Sequence, residues 1–173
     1  KPSGTVAELV DSSSGIHPRF SPYYIRTVRA DSNDPLAQLL KNQGVPCEPD
    51  VTSPSTTWVF SFLKKSPDHS VMRDQTSAIA QLEHYKMFRD HWADHNISIT
   101  VYVKQDEWLD VGSWVYKNWN TIGGVSFLPY SDHVYRQPPF SEITKSQYDE
   151  LIKNQPQVDF TKLSDYEKDD MTT

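Results

Sequence analysis

The sequence has 173 residues, of which 17 are Lys or Arg and 23 are Asp or Glu, giving a net charge of −6. One domain is the default at this length, and an acidic balance without a Lys/Arg cluster argues against a nucleic-acid partner. The sequence contains no apolar run long enough to predict a membrane span, and its single cysteine, Cys47, is typical of a reducing, cytoplasmic compartment.

The first predicted element is a short turn of small residues that leads directly into a helix. The turn consists of Pro2, Ser3, Gly4, Thr5 and Val6, and the helix-compatible run continues to Val10. Backbone N–H groups at a helix start are unpaired and carry the positive end of the helix dipole, so phosphate is their natural occupant. Gly4 lets phosphate oxygens approach the backbone, and Ser3 and Thr5 add hydroxyl donors. An ordinary helix cap is the alternative, because the P-loop pattern with its lysine is absent.

Strands and helices alternate along the rest of the chain. Runs rich in aromatic and β-branched residues predict strands at 23–29, 56–63, 98–103 and 125–128. Apolar periodicity and capping residues predict helices at 35–43, 75–94, 106–120 and 145–154. The run at 56–63 is nearly continuously apolar, which is typical of a strand covered on both faces in a parallel sheet. The alternation therefore predicts an α/β fold of parallel βα units, in an open sheet or a barrel.

Capping residues mark the starts of the predicted helices. Asp34 precedes Pro35, Asp106 precedes the third helix, and Thr144 with Gln147 forms a capping box. The residues expected on buried helix faces are Leu36, Leu39, Leu40, Ala78, Leu82, Tyr85, Phe88, Trp92, Trp108, Val111, Val115 and Trp119. Residues 45–49 are predicted as a linker and 155–173 as an extended tail. Because the chain does not begin with Met, we expect 1–173 to be a single partial domain of something longer.

Histidine and serine side chains offer two further chemistries, and neither forms a complete motif. His84, His91 and His95 share one face of the long predicted helix, but the H-E-x-x-H pattern is absent, so we expect a solvated face and no metal. Ser14 lies near His17, as in a hydrolase pair, but the G-x-S-x-G elbow is absent. We therefore expect neither a metal centre nor a serine hydrolase.

Several motifs, in order along the chain, resemble the adenosylcobalamin-dependent (class II) ribonucleotide reductases, in their monomeric, triphosphate-reducing and phage-like branch. The motifs are P-S-G-T-V at 2–6, S-G-I-H-P at 14–18, Y-Y-I-R at 23–26, H-N-I-S-I-T-V-Y-V at 95–103, D-E-W at 106–108, G-V-S-F-L-P-Y at 124–130 and E-I-T-K at 142–145. The resemblance covers essentially the whole chain. It implies the C-terminal part of the ten-stranded α/β reductase barrel.

In that family, a ribonucleoside-triphosphate reductase converts ribonucleotides to deoxyribonucleotides with adenosylcobalamin as cofactor and a thioredoxin-type reductant. The resemblance implies that Pro2–Val6 holds the phosphates of a ribonucleoside triphosphate. The radical and redox cysteines of the family have no counterpart here, because Cys47 does not lie in a matching motif. We therefore expect no catalytic residue in this piece, which would be inactive without the rest of the reductase chain. A non-enzymatic α/β module for a phosphorylated ligand is the alternative.

Overall fold

The structure is a computed structural model that describes residue 7 and residues 10–130 and 136–167. The turn predicted at Pro2–Val6, and most of the helix predicted after it, lie outside the described residues. The chain divides into unit 1, Lys1–Pro22 with Ser66–Asp132, and unit 2, Tyr23–Lys65 with His133–Thr173. The single partial domain expected for 1–173 stays a prediction. Among the described residues, no helix has the length and apolar character needed to cross a membrane.

The described residues form six strands and five α-helices, which follow one another along the chain. They are β1 (Tyr23–Asp31), α1 (Pro35–Asn42), β2 (Cys47–Pro49), β3 (Thr57–Lys65), α2 (Ala78–His91), β4 (Thr100–Val103), α3 (Trp108–Lys117), β5 (Ser126–Pro129), β6 (Phe140–Glu142), α4 (Lys145–Leu151) and α5 (Leu163–Tyr166). The capping box predicted for α4 is confirmed, since Thr144 Oγ1 accepts from Gln147 N and Gln147 Oε1 accepts from Thr144 N.

Unit 2 contains a four-stranded antiparallel sheet in the order β2-β3-β1-β6. β1 and β3 pair over their full lengths, from Tyr23 opposite Lys65 to Asp31 opposite Thr57. The parallel arrangement predicted for the strand at 56–63 is therefore wrong. The neighbouring residues Val59 and Phe60 are each 1% exposed, so both faces of β3 are covered, as the apolar run indicated. Coverage of both faces, however, does not fix the direction of the strands on either side.

Helix α1 begins and ends as its sequence predicts. Asp34 Oδ1 accepts hydrogen bonds from the N–H groups of Leu36 and, at longer range, the next residue. Gly44 follows the helix with φ +83°, a conformation that favours glycine. Leu39 and Leu40 are buried, whereas Leu36 is 40% exposed. The apolar face of α1 therefore contributes to the core of unit 2.

Four short elements of unit 2 were not predicted. Residues 45–49, predicted as a linker, contain β2, which pairs with β3 from Cys47 opposite Phe60 to Pro49 opposite Trp58. β6 pairs with β1. In the segment predicted as an extended tail, Phe160–Lys162 forms a 3-10 turn and α5 follows it. Strands of three residues carry too few side chains to show an alternating pattern.

Unit 1 contains a parallel pair, β4 and β5, joined through α3 and packed against α2. The register runs from Thr100 opposite Ser126 to Val103 opposite Pro129, so the predicted parallel βα arrangement is confirmed for this part of the chain. Its core consists of Ala78, Leu82, Tyr85, Ile99, Val101, Val103, Val111 and Trp114. Close packing continues beyond α3, where a Cβ at Gly123 would lie 2.8 Å from Asn96 Oδ1.

The ends of α2 and α3 differ from the prediction. α2 ends at His91, so Trp92 leaves the helical period and is 84% exposed. Trp119 lies in a 3-10 turn after α3 and is 70% exposed. Asp106 does not cap α3; the cap position is Glu107, whose carboxylate accepts from Ala78 N and Lys104 N at 2.9 Å each. Glu107 therefore fixes the start of α2 beside the turn that leads into α3.

Candidate functional site

The predicted phosphate turn, Pro2–Val6, lies outside the described residues, and the structure describes the loop that follows it. This loop, residues 11–19, is called the anchor loop here. It turns twice through left-handed backbone, at Asp11 with φ +49° and at Gly15 with φ +57°. Ser12 N donates to the carbonyl of Ala7 at 2.9 Å. The loop is thus hydrogen-bonded back to the segment that carries the predicted turn.

Arg19 closes the end of the anchor loop. Its side chain is 8% exposed and donates to the carbonyl oxygen of Asp11, and its Nη1 lies 3.4 Å from Asp11 Oδ1. Its main-chain N–H donates to the carbonyl of Val71 at 2.8 Å, and its carbonyl accepts from Arg73 N at 2.9 Å. A buried guanidinium needs such partners, because an unpaired buried charge is costly. Arg19 therefore holds the two ends of the loop together.

His17 ties the middle of the anchor loop to the parallel strands. Its Nδ1–H donates to the carbonyl oxygen of Ser14 at 2.6 Å, and its Nε2 accepts from Thr100 N at 3.0 Å. These two bonds fix the neutral ring with its proton on Nδ1. The hydrolase pair considered from the sequence does not form, because both ring nitrogens are bound to main-chain groups. The motif S-G-I-H-P thus has a positional role that its sequence alone did not indicate.

A cavity of about 620 Å³ lies between the anchor loop and α2. Its walls include His17, Gln81, His84 and Phe88. The ring of His84 meets that of Phe88 edge-on, with centroids 4.9 Å apart. Among residues 10–130 and 136–167, no three His, Cys, Asp or Glu side chains are placed to hold a metal ion. The cavity therefore offers mixed polar and aromatic walls rather than a ligand set for a metal.

A second group of side chains, not singled out from the sequence, lies near the carboxyl ends of β4 and β5. The guanidinium of Arg73 lies 3.7 Å from the ring centroid of Phe20, 5.7 Å from that of Tyr102 and 5.3 Å from that of Tyr130. Lys104 Nζ lies 5.8 Å from the Tyr130 ring. Cations favour the faces of aromatic rings at such distances. The spacing of these residues in the sequence could not predict the cluster, because they come from four separate segments.

Comparisons with known proteins identify the family. No model of a known protein family matches the chain. An adenosylcobalamin-dependent ribonucleoside-triphosphate reductase from Levilactobacillus brevis is 33% identical over 152 residues, which are 86% of this chain and 20% of the relative. One from Lactobacillus acidophilus is 30% identical over 174 residues, 97% of this chain and 23% of the relative. A crystal structure of a B-12 dependent (class II) ribonucleotide reductase is similar over 100% of this chain and 24% of the chain in that structure, with a TM-score of 0.78 and 25% identity.

The chain belongs to the adenosylcobalamin-dependent ribonucleotide reductase family. It spans about a fifth to a quarter of the length of the relatives, from 20% to 24%. The resemblance seen in the sequence and the α/β fold are therefore confirmed. Of the motifs that carried the resemblance, S-G-I-H-P at 14–18 lies in the anchor loop. The segments 95–103 and 124–130 contain β4 and β5.

The thiol chemistry of a reductase does not fit the residues of this chain. Cys47 is its single cysteine. It is half-buried in the edge strand β2, opposite Phe60. A thiol pair that is oxidised and reduced needs two cysteines within about 7 Å of each other between Cα atoms. No redox step can therefore be assigned to this chain's own residues.

Proposed function

We propose that this chain forms part of a ribonucleoside-triphosphate reductase and supplies the turn that holds the substrate's phosphates. In this proposal, Pro2, Ser3, Gly4, Thr5 and Val6 bind the triphosphate through main-chain N–H groups and hydroxyls. The observation that carries the proposal is the match to a class II reductase over 100% of the chain at a TM-score of 0.78. The names of the curated relatives give the same activity.

The anchor loop supports the phosphate-binding role. A backbone that binds phosphate must keep its N–H groups aimed at one point, so the segments beside it have to be held in place. His17 and Arg19 do this for the loop that follows the turn, with hydrogen bonds to Thr100 and Asp11. The chain's contribution in this proposal is to position the substrate, and the radical chemistry belongs to other parts of the reductase.

The remaining partners follow from this role. Adenosylcobalamin would supply the radical when bound to the complete enzyme. A thioredoxin-type protein would return the reducing equivalents, and the rest of the reductase chain would complete the barrel, in the cytoplasm. The chain alone is then inactive.

Substitution in the turn of the assembled reductase tests the proposal. Gly4→Val adds a side chain where phosphate oxygens must approach the backbone, so the affinity for a ribonucleoside triphosphate is expected to fall. The loss of one hydrogen bond to a charged group costs about 1.5–3 kcal/mol, which is roughly a ten- to hundredfold loss of affinity. Equilibrium binding of a labelled triphosphate measures this loss.

The control is Ser113→Ala, a substitution of an exposed residue in α3, which is expected to leave the affinity unchanged. Equal affinity in the Gly4→Val and parent proteins would contradict the assignment of the turn. Triphosphate binding without any reduction, with every part of the reductase and its cofactor present, would favour the non-enzymatic module instead.

A further inference from the structure

Two basic side chains contact aromatic rings where the parallel strands of unit 1 end. The guanidinium carbon of Arg73 lies 3.7 Å, 5.7 Å and 5.3 Å from the ring centroids of Phe20, Tyr102 and Tyr130. Lys104 directly follows β4, and its Nζ lies 5.8 Å from the Tyr130 centroid. The ring of Tyr130 therefore lies beside both cations. These five side chains are called the cation cluster here.

The main chain places the cation cluster at the carboxyl edge of the parallel pair. Tyr130 N donates to the carbonyl of Val103 at 2.7 Å, so the ladder between the strands continues one residue beyond β5. Lys104 N donates to Glu107 Oε2 at 2.9 Å, in the turn that leads into α3. Ligands of α/β folds bind outside the carboxyl ends of parallel strands. The cluster therefore lies where such a fold is expected to bind a ligand.

The cation cluster is also joined to the anchor loop. Arg73 N donates to the carbonyl of Arg19 at 2.9 Å, and Phe20 directly follows the loop. The anchor loop itself begins five residues after the proposed phosphate turn, Pro2–Val6. In α/β folds, a phosphate-binding turn at a helix start lies at the carboxyl edge of the strands. The turn and the cluster are therefore expected at the same edge.

The proposed phosphate turn carries no positive side chain of its own. In a P-loop, main-chain N–H groups hold the inner phosphates and a lysine reaches the outer ones. Pro2–Val6 contains neither Lys nor Arg. Phosphate is nevertheless a strong partner for basic side chains, and Arg matches its geometry with two parallel hydrogen bonds. A cation for the outer phosphates of a triphosphate is therefore expected from another segment of the chain.

Arg73 and Lys104 can contact an anion while they contact the rings. Both side chains are partly exposed. A guanidinium can stack on a ring and still present its N–H groups to a phosphate. Among the described residues, no carboxylate forms an ion pair with Lys104 Nζ. The nearby carboxylate of Glu107 instead accepts the main-chain N–H groups of Ala78 and Lys104.

We infer that Arg73 and Lys104 bind the outermost phosphate of the ribonucleoside triphosphate, an inference that rests on the proposed function. The turn holds the inner phosphates with main-chain N–H groups, and the two cations supply the charge that the turn lacks. The rings of Phe20 and Tyr130 hold the basic side chains in position. Because a diphosphate has no outermost third phosphate, the cation cluster distinguishes a triphosphate from a diphosphate.

Equilibrium binding of labelled CTP and CDP to the assembled reductase tests the inference. Lys104→Gln removes one charge, so the affinity for CTP is expected to fall roughly tenfold. Arg73→Gln removes a donor that can form two bonds, and the expected fall is roughly ten- to hundredfold. The affinity for CDP is expected to stay at the parent value in both variants. Equal losses for CTP and CDP overturn the inference.

The matched control is Lys117→Gln, which removes the same charge from unit 1. Lys117 is exposed in the last turn of α3, which runs from the carboxyl end of β4 back to the amino end of β5. Its substitution is therefore expected to leave both affinities unchanged. An equal fall in CTP affinity for Lys117→Gln and Lys104→Gln overturns the inference, because net charge alone would then explain the effect.

Thermal unfolding of each variant distinguishes phosphate binding from a purely structural role. Arg73 contacts three rings, so Arg73→Gln is expected to lower the thermal midpoint as well as the CTP affinity. A lower midpoint with the parent ratio of CTP to CDP affinity overturns the role of Arg73. If Arg73→Gln does not fold, Lys104→Gln decides, and parent CTP affinity in that variant overturns the inference.

Comparison with Gly4→Val separates this inference from the proposed function. Weaker CTP binding in Gly4→Val, with parent affinity in Lys104→Gln, leaves the proposed function standing and overturns the role of the cation cluster. A CTP-specific loss in Lys104→Gln, with parent affinity in Gly4→Val, supports the cation cluster as a phosphate site and counts against the turn.

Discussion

At the scale of single residues, His17 gives the sharpest test of the anchor loop. Its ring accepts from Thr100 N and donates to Ser14 O. His17→Ala removes both bonds and leaves the N–H of Thr100 without its acceptor. We expect the free energy of unfolding to fall by about 1–3 kcal/mol, the cost of leaving such a group unsatisfied. Urea denaturation of the chain, followed by circular dichroism, measures the change.

The control for His17 is His95→Ala. His95 is exposed, and substitution of such a surface residue changes stability by about 0.5 kcal/mol or less. Equal, small effects of the two substitutions would mean that the anchor loop does not depend on the imidazole. In that case, the positional support for the phosphate turn would also be lost.

The sequence places His17 inside a motif but cannot show what the ring contacts. Thr100 lies 83 residues further along the chain, and no local pattern links two such distant positions. The same holds for Arg73 with Tyr102 and Tyr130. Contacts between near neighbours in the sequence, by contrast, could be predicted. The capping roles of Asp34 and of Thr144 with Gln147 are confirmed, because the bonded groups lie within three residues of each other.

At the scale of elements, the strands that were missed or misoriented share one physical reason. Pairing partners and strand direction are set by contacts far apart in sequence, whereas propensity and periodicity report only local burial. β1 and β3 were predicted as strands, but their antiparallel register was not. β4 and β5 were predicted as parallel, and here the intervening helix α3 provides the crossover that parallel neighbours need.

Asp50 directly follows β2 and pairs with Arg29 of β1, so we expect the free energy of unfolding of unit 2 to depend on pH through this carboxyl. The Nε of Arg29, a residue of β1, donates to Asp50 Oδ1 at 2.8 Å. The same guanidinium also donates to the carbonyl of Gln137. The Thr52 hydroxyl, and then Arg29, hold the pKa of the Asp50 carboxyl well below its usual range. Because the folded pKa is depressed, the stabilisation is complete above the unfolded pKa of about 4 and is lost as the pH falls below it.

Asp50→Asn removes this charge, so we expect a lower urea midpoint at pH 7 and a smaller loss of stability between pH 7 and pH 3. Urea denaturation of the variant and the parent, each at pH 7 and at pH 3, measures both effects. Asp106→Asn, at an exposed carboxyl in unit 1, is the control and should keep the pH dependence of the parent. An unchanged midpoint at pH 7 for Asp50→Asn would show that the ion pair with Arg29 contributes nothing to unit 2.

At the scale of the whole molecule, the net charge of −6 opposes association through the exposed apolar side chains. Trp92, Leu109 and Tyr116 are each more than 80% exposed, at 84%, 88% and 84%. The repulsion between copies disappears as the pH approaches the isoelectric point of about 5.4. We therefore expect the chain to associate as the pH is lowered from 7.5 towards that value, with the onset measured by static light scattering.

Two substitutions that change the net charge equally distinguish the effect of apolar contacts on association from the effect of net charge. Tyr116→Glu and Ser113→Glu each add one negative charge to the exposed side of α3, but only the first removes an exposed apolar side chain. If the Tyr116 side chain drives association, Tyr116→Glu shifts the onset to a clearly lower pH than Ser113→Glu does, or abolishes association. Equal shifts would mean that charge alone controls association. The exposed side chains of α3 would then be tolerated in water, with no need for a partner to cover them.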